Sequence, residues 1–137
     1  MLTIEQIIEE AKKAREKAYA PYSNFKVGAV IECKDGKFFY GANVENASYG
    51  LTVCAERNAL YNAFTCGVKN EDIKEIHVMS KKGVTPCFIC RQALVDFCNS
   101  DTVIYVYDLE GLKNQYTVSD LCTHSFSKGD LEWNQGL

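Results

Sequence analysis

Two short runs of this 137-residue chain carry side chains able to do chemistry: Thr52-Val53-Cys54-Ala55-Glu56-Arg57 and Thr85-Pro86-Cys87-Phe88-Ile89-Cys90-Arg91-Gln92. Together they offer three thiols, Cys54, Cys87 and Cys90, and one carboxylate, Glu56. Three protein ligands suit a zinc ion that keeps a fourth position for water, the coordination of catalytic zinc. A carboxylate beside that position can move protons to and from reacting atoms.

Taken alone, C-x-x-C also fits a thiol redox pair or half of a closed zinc site. A redox pair needs neither a third thiol nor a Cys-Ala-Glu-Arg run. A closed site needs a fourth ligand, for which Cys33, Cys66, Cys98 and Cys122 are the candidates; otherwise these four read as core or surface thiols. An odd cysteine count and no secretion signal over Met1 to Ala20 lead us to expect reduced thiols and a cytoplasmic location.

The elements that must position these residues are legible in the pattern. Thr52 and Thr85 are expected to cap two helices, the second opening on Pro86 and running to Phe97, so that Cys54 and Cys87 fall in first turns with Cys90 one turn on. Two helix N-termini aimed at one ion favour thiolate over thiol. Cys54 and Glu56, two apart, diverge on a regular helix, so the site must lie off the helix end.

An earlier helix is expected from Ile4 to about Tyr19, opened by a Thr3/Gln6 capping box and stopped by Pro21. Phe25 to Cys33 and Lys37 to Gly41 read as a hairpin turning at Asp35-Gly36. Glu75 to Ser80 and Thr102 to Tyr107 flank a helix, as parallel strands of a βαβ crossover would, and a short fifth strand is expected near Gln115 to Val118. The sum is one α/β domain over residues 1–137 with a mixed sheet of about five strands. His77 reads as a packed strand residue, His124 as a loop residue, and Ser125 to Leu137 receives no firm structure.

Fifteen basic against eighteen acidic residues, net charge −3, give no basic track for a nucleic-acid strand. No stretch is long and apolar enough to span a bilayer. A small, nearly neutral substrate is favoured, with no nucleic-acid or membrane partner.

The spacing C-x-E … P-C-x-x-C resembles the three-cysteine form of the zinc nucleoside deaminase signature. Pro21-Tyr22-Ser23-Asn24-Phe25-Lys26-Val27-Gly28-Ala29 and Asn43-Val44-Glu45-Asn46-Ala47-Ser48-Tyr49-Gly50 extend the resemblance to cytidine deaminases over most of the chain, from about Ala14 to Leu131. That resemblance implies a three-layer α/β/α fold, a homotetramer with one Zn2+ per subunit, and hydrolysis of cytidine and deoxycytidine to uridine and deoxyuridine plus ammonia in pyrimidine salvage. It implies that Glu56 is a proton shuttle and no zinc ligand, that the Ala55 amide helps hold the pyrimidine, and that Asn43 and Glu45 bind the ribose hydroxyls. Phe25 becomes a wall against the base, Tyr49 closes the ribose side, and Phe126 enters a neighbouring subunit's pocket.

Three thiolates on one zinc leave a formal charge of −1, which Arg57, as the principal partner of the sulfurs, and Arg91 are placed to offset. The sequence departs from the family pattern at Phe88, where glycine is usual, and at Cys122-Thr123, where Leu-Pro is usual before the late aromatic. Deamination of a cytosine-containing antibiotic such as blasticidin S is the alternative enzyme reading, and a zinc-stabilised binding module the non-enzyme one. Glu45 and Phe126 argue for an ordinary ribose.

Overall fold

A computed structural model describes residues 2–131. Helix α1, Ile4–Glu16, opens on the expected capping box: Gln6 N donates to Thr3 Oγ1 at 3.2 Å and Thr3 N donates to Gln6 Oε1 at 2.8 Å. It ends before Tyr19 because Tyr19 N donates to Asn43 O at 2.9 Å instead of continuing the helix. Strands β1, Val27–Cys33, and β2, Phe38–Ala42, pair antiparallel across the Asp35-Gly36 turn, where Gly36 takes a φ of +90°. Helix α2, Ala55–Thr65, strand β3, Ile73–Ser80, helix α3, Phe88–Phe97, and strand β4, Val103–Asp108, follow.

Strand β5, Gly111–Thr117, is longer and earlier than expected. The cause is a tight turn: Asp108 Oδ1 accepts from Glu110 N at 2.8 Å and Gly111 N at 3.1 Å, returning the chain along β4 at once. Thr117 then caps a single turn, α4, Val118–Leu121, so Val118 belongs to a helix and not to the strand. A last short helix, α5, is Lys128–Leu131, within the tail that the sequence left unassigned.

The sheet runs β2-β1-β3-β4-β5, antiparallel except for β3 and β4, which are parallel and joined through α3. One face carries Val30, Met79 and Tyr107 against Ile7 and Ala11 of α1. The other carries Ile31, Ile76, Val78, Ile104 and Val106 against Ala59 and Leu60 of α2 and Leu94 of α3. This is the α/β/α layering that the sequence implied.

Two strand glycines let the helices approach. A Cβ on Gly28 would sit 2.4 Å from Arg15 N, and one on Gly41 only 2.3 Å from Ala59 N. Since no side chain fits there, α1 and α2 rest directly on the sheet. Gly41 thereby sets the height of the helix that begins beside Cys54.

Candidate active site

Cys54 is not inside α2 but is its N-cap residue, and Cys87 is the N-cap of α3. The expectation that Thr52 and Thr85 cap these helices is corrected. Val53 is held extended by its bridge to Val44, and the Thr85 hydroxyl accepts from Arg91 Nη2 at 3.3 Å. Neither cysteine spends its side chain on capping. Each sulfur is left at the positive end of a helix, off its axis, and Cys90 joins them from the third residue of α3.

The Cys54 and Cys87 sulfurs are 3.8 Å apart, and one ligand atom from each of Cys54, Cys87 and Cys90 lies within 4.8 Å of the others. Tetrahedral zinc with sulfur ligands at about 2.3 Å requires sulfurs about 3.8 Å apart. The trio therefore fits zinc. Cys90 is buried, Cys54 partly so and Cys87 exposed, which leaves the cluster open on one side. Among the described residues no fourth cysteine, histidine or carboxylate completes that group.

Hydrogen bonding from the Cys90 thiol, with help from Arg57 and Cys87 against the effect of burial, pulls the Cys54 thiol down to about 5. Cys90, which keeps the proton, is pushed upward by that same bond and by burial. Arg57 Nη2 is 3.5 Å from the Cys54 sulfur. Burial lowers the Arg57 pKa, but its bonds to the Cys54 and Cys90 sulfurs outweigh that and raise it. Arg91 is occupied elsewhere: it donates to Pro86 O at 2.8 Å and Leu121 O at 3.2 Å, and its guanidinium lies 4.4 Å from the Phe88 ring centre.

Glu56 is 5 % exposed, at the second position of α2. Burial is the main cause that pushes its carboxyl up to about 7, with the Cys54 charge adding to it. A carboxyl in that range can take and return a proton near neutral pH. Ala55, fully buried, is the first helical residue, and its amide has no partner within the helix.

A half-open cavity of about 290 Å³ lies beyond Thr52, lined by Tyr22, Ser23, Glu45, Asn46, Tyr49 and Thr52. Glu45 is fixed by three donors: Tyr22 N at 3.0 Å, Ser23 N at 3.1 Å and the Ser23 hydroxyl. These bonds, the Ser23 hydroxyl first, hold its carboxyl below the usual range, as an anion. Tyr49, 76 % exposed, meets Tyr22 edge to face at 6.1 Å.

Asn43 stands apart from that lining, 7 % exposed. Its amide accepts from Val27 N and donates to Phe25 O, both at 2.8 Å, and so pins the segment that carries Phe25. Phe25 is 36 % exposed and follows Asn24, whose φ of +59° turns the chain into β1. Phe126 is also outside the cavity, exposed, with its carbonyl accepting from Gln92 Nε2 at 2.8 Å. The residue that sequence reasoning passed over is Ser23, which sits in the quoted Pro21-to-Ala29 run yet had no role until its bonds to Glu45 were visible.

Three sulfurs at zinc spacing, an open side and a buried carboxylate define a metal-assisted hydrolytic site on a layered α/β fold. Residues 1–106 match the family model described as the cytidine and deoxycytidylate deaminase zinc-binding region. The chain belongs to that family. It is 46 % identical to a cytidine deaminase of Halalkalibacterium halodurans over 93 % of this chain and 96 % of that one. A cytidine deaminase of Sporosarcina psychrophila is 40 % identical over 96 % and 97 % of the two chains. Among solved structures, a cytidine deaminase from Burkholderia pseudomallei superposes with a TM-score of 0.87 at 42 % identity, covering 91 % of this chain and all of that one.

Proposed function

We propose that the protein hydrolyses cytidine and deoxycytidine to uridine and deoxyuridine, releasing ammonia, as one catalytic domain serving pyrimidine salvage. The observation that carries this is the match between the sulfur spacing and zinc, beside the buried Glu56 carboxyl, in a member of this family. Cys54, Cys87 and Cys90 hold the ion, which when bound supplies the Lewis acidity that makes a hydroxide nucleophile accessible near pH 7. Glu56 would take one proton from the attacking water and deliver it to the ring nitrogen N3 as the C4–O bond forms; it would then collect the proton of the new C4 hydroxyl and pass it to the amino group, so that C4–N breaks as C4=O forms and ammonia leaves. Without that transfer neither atom could accept the electrons of the step.

In this reading Glu45 and Asn43 hold the ribose hydroxyls, Tyr49 closes that side, Phe25 flanks the base and the Ala55 amide meets the pyrimidine. An anchored Glu45 anion in the cavity supports an ordinary ribose over an antibiotic substrate. Phe126 lies outside its own chain's cavity, which supports delivery to a second copy within a homotetramer. No described helix is long and apolar enough to cross a membrane.

The test is the ultraviolet change as cytidine becomes uridine. Activity should vanish with a chelator and return with zinc, and Glu56→Gln should lower kcat at least about 10²-fold while keeping its fold and one zinc per chain. A Glu56→Gln protein as active as the parent would overturn the reading.

A further inference from the structure

On the face of the sheet opposite the cysteine helices, Glu32 of β1 meets Glu75 and His77 of β3. The register pairs Glu32 with Glu75 and Val30 with His77, and strand alternation sends all three side chains toward the α1 layer. His77 Nε2 stands 3.7 Å from Glu32 Oε1 and 3.4 Å from Glu75 Oε2, and one ligand atom from each lies within 4.8 Å of the others. Nothing in the deamination reading uses these residues.

Three observations ask for an occupant. Glu32 and His77 are each 1 % exposed, yet both Glu32 oxygens and His77 Nε2 lack a hydrogen-bond partner. A carboxylate buried without donor or cation is strongly unfavourable. Next, the imidazole is already oriented: its Nδ1 is 2.8 Å from the Tyr107 hydroxyl, and the Tyr105 ring stacks on it at 5.3 Å and 10°. With Nδ1–H donated to that hydroxyl, Nε2 turns a lone pair toward the carboxylates, the outer support that metal-binding histidines receive. Finally, a half-open cavity of about 240 Å³ reaches the cluster past Leu2, Ile4 and Lys74.

The geometry points to a second metal site, in which Glu32, Glu75 and His77 bind a divalent first-row transition ion and tie β1 to β3 beneath α1. Ligands at about 2.0–2.2 Å from an ion stand roughly 3–3.6 Å from one another, close to the separations already present. Two carboxylates balance the charge of the ion. One nitrogen with two oxygens is also a harder set than three thiolates, so the two centres differ in the ions they accept.

A proton is the rival occupant, since an imidazolium between the two carboxylates would engage the same atoms. The carboxylates pull toward that form. Burial, with Lys74 as a lesser cause, pulls the other way.

Manganese separates the centres because thiolates bind it poorly. Protein carrying one zinc per chain is titrated with Mn2+, and the signal of the free ion is followed by electron paramagnetic resonance. We expect one further ion per chain, weakened at least tenfold in Glu75→Gln and in Glu32→Gln, and a rise in melting temperature with Mn2+ in the parent only. Glu75 is partly exposed, so its variant keeps the readout if Glu32→Gln fails to fold. The inference fails if neither Mn2+ nor added zinc binds beyond the first equivalent, or if both variants bind it as tightly as the parent. A Glu32→Gln protein less stable than the parent, with no bound manganese in either, would identify the imidazolium as the occupant and overturn the metal.

Discussion

At the residue scale, the charge on the sulfurs is the quantity to control. Three thiolates would over-neutralise a divalent ion, and Arg57 is the cation that reaches them, while Arg91 fastens Pro86 and Leu121. Arg57→Ala should weaken zinc binding about 10- to 100-fold in competition with a chromophoric chelator, with Arg57→Lys falling between. Unchanged zinc affinity in both would remove Arg57 from that role. The cysteine cluster, the buried position of Glu56 beside it and the Arg57 contact with Cys54 trace to two short runs whose spacing is itself the signal. Glu32, Glu75 and His77 were not legible: Glu75-Ile76-His77 is also what any alternating strand looks like, and only the β1–β3 register brings Glu32 to it.

At the element scale, the position of α2 depends on a missing side chain. Gly41→Ala would drive a Cβ into the backbone at Ala59 N and Ala55 O, at 2.3 and 2.7 Å, with no flexible atom to yield. It should cost about 1–3 kcal/mol in urea denaturation and lower the zinc content, since Cys54 begins that helix. Gly50→Ala, with nothing within 4 Å, should be near neutral for stability. Helices and strands were read correctly where the apolar period was long, as in α1, β3 and α3. Their ends were misread where side chains took over the backbone bonds. Asn43 claims Val27 N and Phe25 O, delaying β1 past Phe25, and Asp108 turns the chain early into β5. The caps slipped from threonine to cysteine for a related reason: Val53 bridges Val44 before α2 begins, and Arg91 claims the Thr85 hydroxyl before α3 does.

At the scale of the whole molecule, several large apolar side chains lie open to solvent. Phe88 is 74 % and Ile89 64 % exposed at the start of α3, with Tyr49, Leu51 and Phe126 also open to solvent. In the proposed tetramer a second copy would cover such groups. Phe88→Glu with Ile89→Glu should shift the sedimenting species from tetramer toward smaller forms and lower kcat/KM at least tenfold, because Phe126 would no longer reach a neighbour; a full-sized, fully active assembly would refute that placement. The order of the elements along the chain has its own consequence. All three zinc-binding cysteines precede β4 and β5, so a chain leaving the ribosome displays a complete ligand set before the last two strands exist. An ion captured at that moment would close a loop between α2 and α3 early, making metal supply during synthesis a factor in how much chain matures.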